Sequence, residues 1–221
     1  MKLFVGGCSF SSSLKVERDE SWPNLVSKKL GITLIDESSV AGSNYRIWRK
    51  AMQHIREGTL QPTDTVIIQY TEPHREEIFS PVKRPPDHIS LSENDSRNAP
   101  AEHFGKEGYL IKYKWGLDIG SGIGEEKALA RMKYKFSCEA WDLERFKFTH
   151  EMFQGFLLSR KFKKVYFMLG GYYTPDLTGL VDPRYKIIDC RYELKNHAAG
   201  DPHHLNKMGH QKVAQTVLNL I

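Results

Sequence analysis

The chain has 221 residues, of which 40% are hydrophobic and 27% charged, with a formal net charge of +5. Such a length and balance suit one α/β domain, or two small ones, around a real core, and they exclude wholesale disorder. The basic residues are scattered rather than gathered in blocks, so the field is mildly positive and does not mark a nucleic-acid surface.

Residues 2–8 read as a buried strand: a short apolar run (Leu3, Phe4, Val5) closed by glycine. Ser21-Trp22-Pro23 has the form of a helix start, with Pro near the first helical position, Leu25, Val26 and Leu30 on one side and Gly31 as the stop. "ITLID" (32–36) is a second, β-branched strand. After a loop at 37–44, Trp48, Ala51, Met52 and Ile55 recur at helical spacing until Gly58. "TVIIQY" (65–70) is a third strand, apolar enough to be buried on both faces. This alternation predicts βαβ units and a parallel sheet.

Regularity lapses from 72 to about 138, where five prolines and the glycine-rich "GLDIGSGIGEE" fall. A structureless loop of that length is improbable inside a compact domain, so the segment at about 78–138 reads as an insertion with local structure of its own. Order resumes with a helix near 139–160, strands "KVYFML" (164–169) and "YKIIDC" (185–190), and a last helix over about 206–221. Leu205, Met208, Val213, Val217 and Leu220 are its predicted buried stripe. The expectation is a single-domain, three-layer α/β/α fold with a central parallel sheet, flavodoxin-like in style.

The first strand runs into "GGCSFSSS", which admits three readings: a lipoprotein cleavage site, a phosphate loop, or a strand ending at a nucleophile. One lysine and three apolar residues before the glycines fall far short of a signal peptide's 7–15-residue apolar region. A Walker loop requires GxxxxGK[ST], and no lysine follows until Lys15. A turn that exposes one serine remains, with Ser9, Ser11, Ser12 and Ser13 all available. Cys8, Cys138 and Cys190 are too few for a disulfide framework and lack CxxC spacing, so they read as reduced thiols of a cytoplasmic protein. No apolar run approaches the ~20 residues that cross a membrane.

Ligands of an open parallel sheet bind beyond the carboxyl ends of its strands. Those ends carry Gly7-Cys8-Ser9-Phe10, then Gly42-Ser43-Asn44, then Tyr70-Thr71-Glu72, and lastly "GDPHHLNKMGH" (200–210). Asp201 and His204 lie three apart, a spacing at which a carboxylate can fix an imidazole tautomer and leave its other nitrogen for a serine hydroxyl. Taken alone, "DPHH" reads more readily as an Asp-Pro turn capping the helix, with surface histidines.

"GCSF", "AGSNYRI" and "DPHHLNKMGH", in that order over the whole chain, together resemble the SGNH/GDSL hydrolase family. The resemblance implies Ser9 as nucleophile, His204 as base and Asp201 as its orienting partner. It implies an oxyanion hole from the Ser9 and Gly42 backbone N–H groups. The family's third-block G-x-N-D is replaced by Gln69-Tyr70-Thr71-Glu72, which leaves Asn44 or Thr71 as the candidate third donor. "END" (93–95) mimics the motif but lies in the insertion. His74 and Arg75, just past the third strand, are candidates for orienting substrate, beside a plain reading as a solvated loop. The implied activity is hydrolysis of a small-molecule or carbohydrate ester, with a sugar O-acetyl group as one candidate. No metal, organic cofactor, nucleic acid or membrane is implied. The alternative is a catalytically weak or inactive protein that keeps the fold.

Overall fold

The structure is a computed structural model that describes residues 1–39, 42–73, 76–80, 102–104, 108–113, 139–170, 174–200 and 204–221, with backbone alone at 76–80, 102–104, 108–113 and 139. Five parallel strands form the main sheet: β1 (Lys2–Gly6), β2 (Thr33–Asp36), β3 (Thr65–Tyr70), β7 (Lys164–Leu169) and β8 (Lys186–Asp189). Their order is β2-β1-β3-β7-β8, the doubly wound arrangement in which the chain steps outward from β1 in both directions. Every residue of the central strand β3 is buried, in keeping with an apolar run interrupted inside the strand by Gln69 alone.

Side chains alternate across the sheet, so each face has its own core. On one face Phe4, Val66, Ile68, Tyr70 and Phe167 meet Ile47, Trp48 and Ala51 of α2 (Asn44–Arg56) and Phe146, Phe153 and Leu157 of α3 (Glu139–Ser159). On the other, Leu3, Val5, Ile67, Met168 and Ile188 meet α1 (Trp22–Leu30), α4 (Arg191–Asn196) and α5 (Lys207–Leu218) through Trp22, Val26, Leu194, Val213 and Val217. The result is helix, sheet and helix in three layers.

The predicted elements of the main sheet all form, and β3 and β7 keep their predicted limits. Gly31 ends α1 with φ +64°, the left-handed conformation that a Cβ disfavours. The expected buried stripe of the last helix is corrected at two positions. Met208 and Leu220 are exposed, and Gly209, His210 and Ala214 join Val213 and Val217 inside. At 100° per residue, position 208 lies across the helix from 213, and 220 is beyond the helix end. Within the expected insertion, β4 (Glu76–Ser80), β5 (Glu102–Phe104) and β6 (Gly108–Tyr113) make an antiparallel sheet in the order β4-β6-β5. "END" at 93–95 lies outside the described residues.

Candidate active site

β1 stops at Gly6, and the chain turns at Gly7-Cys8-Ser9-Phe10 on the carboxyl edge of the sheet. The turn is tied to the neighbouring strand by one side chain. Gln69, buried near the end of β3, accepts the Cys8 N–H at 2.8 Å and the Ser11 hydroxyl at 3.2 Å through Oε1, while its Nε2 donates to the Tyr70 carbonyl. Gly7 is obligatory here: a Cβ would stand 2.8 Å from Ser11 Oγ and 2.9 Å from Gln69 Oε1. Below the turn Phe10 is buried beside Gly170, where an added Cβ would sit 2.5 Å from its ring.

Accounting for polar groups separates the serines. The Cys8 carbonyl accepts from Ser11 and Ser12 N–H, and the Ser9 carbonyl accepts from Ser12 Oγ. Ser11 is fully buried with its hydroxyl spent on Gln69. Among the described residues, the Ser9 N–H and Ser9 Oγ have no hydrogen-bond partner. Ser9, itself buried, therefore keeps both its N–H and its hydroxyl without a partner among the described residues.

The loop after β2 packs onto this turn. Ser39 N–H donates to the Gly7 carbonyl at 3.0 Å, and a Cβ on Gly42 would lie 3.2 Å from that carbonyl and 3.8 Å from Cys8 Cα. Gly42 thus sits against the Gly7–Cys8 turn, but its own N–H donates to the Ser39 carbonyl at 3.0 Å. Ser43 caps α2, its hydroxyl accepting the Arg46 N–H at 3.1 Å. Asn44 crosses to the end of β3. Its Oδ1 accepts the Thr71 N–H at 2.9 Å, and its Nδ2 donates to the carbonyls of Thr71 at 3.0 Å and Glu72 at 3.4 Å. In this arrangement the amide clamps the backbone of the third block.

His204 is half-buried in the loop that leads into α5, and its carbonyl accepts the Ala199 N–H at 2.8 Å. Leu205 then pairs with Ala198 in an antiparallel bridge, and Asn206 caps α5 by accepting the Gly209 N–H at 2.9 Å. His210 is buried, and its Nδ1 accepts the Trp22 N–H at 3.2 Å, which satisfies a free donor at the start of α1. Burial holds this imidazole down at about 4, so it stays neutral as that bond requires. Asp201, His203, His74 and Arg75 lie outside the described residues. Cys8 and Cys190 are free and buried, and desolvation pushes the Cys190 thiol up to about 12; Cys138 lies outside the described residues.

No family model and no curated protein matches the sequence. Solved structures do match. A protein assigned as a lipolytic member of the G-D-S-L family from Desulfitobacterium hafniense DCB-2 superposes with a TM-score of 0.50 at 9% identity, over 100% of this chain and 99% of that one. The fold is that of the SGNH/GDSL hydrolases. Also similar are a psychrotrophic esterase, EstA, from Pseudoalteromonas sp. (TM-score 0.49, 10% identity, 99% of this chain and 94% of that one) and a lipase/acylhydrolase from Enterococcus faecalis (0.47, 7%, 99% and 93%).

On this SGNH/GDSL fold the third strand end departs from G-x-N-D, and its residues Gln69, Tyr70, Thr71 and Glu72 are all buried. Sequence reasoning passed over Gln69, although an amide inside the otherwise apolar "TVIIQY" is the kind of buried polar group that must have partners. Among the described residues, no group of three or more His, Cys, Asp or Glu side chains is placed to hold a metal. Also among them, no helix is long and apolar enough to cross a membrane.

Proposed function

We propose that this chain is a serine hydrolase of the SGNH/GDSL type acting on a carboxylic ester. The observation that carries the proposal is the unspent N–H and hydroxyl of Ser9, in a turn whose other polar groups from Cys8 to Ser9 are all satisfied. Ser9 Oγ attacks the acyl carbon and its proton passes to His204; Asp201 orients the imidazole and stabilises its charged form. The Ser9 N–H receives the developing oxyanion. His204 then returns the proton to the leaving alkoxide, and water attacks the acyl-enzyme with the same base. A carbohydrate O-acetyl ester fits this chemistry as a substrate, with His74 and Arg75 orienting it.

Two features favour slow turnover as a second reading. Gly42 N–H and the Asn44 amide, both candidate oxyanion donors, are held by Ser39 and by the Thr71–Glu72 backbone. Removing one oxyanion donor lowers kcat by about 10²–10³-fold in a well-studied protease. The hydrolase therefore turns over slowly unless substrate draws Gly42 N–H away from Ser39. A fluorophosphonate probe together with a short-chain aryl ester tests the proposal. Wild type is expected to be labelled once, at Ser9, and Ser9→Ala to lose labelling and at least about 10³-fold in kcat. Equal behaviour of the two proteins refutes it.

A further inference from the structure

We infer that Gln69 is the positioning residue of the nucleophile, and that the third block of this chain acts through it, from beneath the Ser9 turn, instead of supplying a donor to the oxyanion. This rests on the hydrolase reading above. Gln69 is fully buried on a central strand, and its Oε1 holds both sides of Ser9: the Cys8 N–H before it at 2.8 Å and the Ser11 hydroxyl after it at 3.2 Å. The same oxygen lies only 2.9 Å from where a Gly7 Cβ would stand, so the turn closes around it. Its Nε2 is committed to the Tyr70 carbonyl, which fixes which end of the amide faces the turn.

A neutral acceptor is needed at that spot. Without one, the Cys8 N–H is a buried donor with no partner, and the Gly7–Cys8 peptide rotates to find one, displacing the Ser9 N–H and Oγ that follow it in the turn. A misplacement of about 1 Å at a reacting group is enough to cost on the order of 10²-fold in rate. The third-block asparagine that the resemblance leads one to expect is missing; the same strand end here carries a glutamine that acts on the nucleophile's backbone.

Two variants test this against the Ser9→Ala control, using 4-nitrophenyl acetate and a fluorophosphonate. Gln69→Met keeps the volume and removes the acceptor; kcat is expected to fall about 10²-fold with KM within about twofold, and the labelling rate to fall in parallel. Gln69→Glu reproduces the amide only when its carboxyl is protonated, since that O–H replaces Nε2 in donating to Tyr70. The ratio of its kcat to wild type is therefore expected to be near one at low pH and to drop as the carboxyl ionises, a limb that wild type lacks. If Gln69→Met does not fold, the Gln69→Glu profile decides. A pH-independent ratio, or a folded Gln69→Met with wild-type kcat, overturns the positioning role while leaving the hydrolase standing. Absence of Ser9-dependent labelling in wild type overturns both.

Discussion

Asn44 occupies the first position of α2, where an amide side chain ordinarily faces water; here it is buried and makes three bonds to the backbone of two consecutive residues just past β3. In this way one side chain ties the start of α2 to the segment that follows β3. Asn44→Ala leaves the Thr71 N–H buried without its acceptor and is expected to cost about 2–3 kcal/mol, read as a lower urea midpoint with an unchanged slope. The same reasoning explains why four neighbouring serines are not equivalent. Ser11 and Ser12 spend their hydroxyls holding the turn, and Ser9 is the residue that the turn holds.

At the level of elements, the segment "HLNKMGH" is a joint between helices. Leu205 bridges to Ala198, Asn206 caps α5, Gly209 lets the helix approach His197, and His210 caps α1 from the next layer position. Gly209 has a packing reason to be glycine: a Cβ would meet Leu205 Cδ2 at 2.8 Å and the His197 carbonyl at 3.0 Å. Alanine is the better helix former by up to ~1 kcal/mol, but the carbonyl is backbone and cannot swing away. Gly209→Ala is therefore expected to be net destabilising by about 1–3 kcal/mol in thermal or urea unfolding. Displacing this joint also moves His204, five residues before Gly209, so on the hydrolase reading kcat is expected to fall with stability.

Over the whole molecule, two imidazoles are locked into the two cores as neutral groups. His150, on α3, is buried against Phe146 and Phe167, and its Nδ1 meets the Tyr70 hydroxyl at 2.5 Å; burial lowers it to about 4, as it does His210 on the opposite face of the sheet. The unfolded chain binds protons at these histidines near 6.5, and the folded chain only near 4. Their contribution is thus fully present above about 6.5 and is lost as pH falls toward 4, by roughly 2–3 kcal/mol apiece. The urea midpoint is expected to fall steeply from pH 7 to pH 4.5, and His210→Gln, which removes one of the two titrations, to flatten that slope. A slope that is unchanged in the variant refutes the assignment.

The three-layer parallel sheet was legible in the sequence because buried strands are short apolar runs and the helices end in Gly31 and Gly58, signals that are local. Ser9 and His204 were singled out by a pattern over the whole chain, and their roles stand as the proposal made above. Met208 was misread because an apolar residue on a helix says nothing of its face until the helix is docked, and the docked face of α5 is set by Gly209 and His210. The partners of Gln69 and Asn44 were beyond reach for the same kind of reason. Each bonds a backbone group 58 or 61 residues away in one case and 27 or 28 in the other, or a hydroxyl there, and such partners come together only when parallel strands take their register. By itself the sequence determined the elements and the residue types offered at the sheet edge. Which serine is left with its N–H and hydroxyl unspent was decided by the tertiary structure, because hydrogen bonds between strand ends exist only in the assembled sheet.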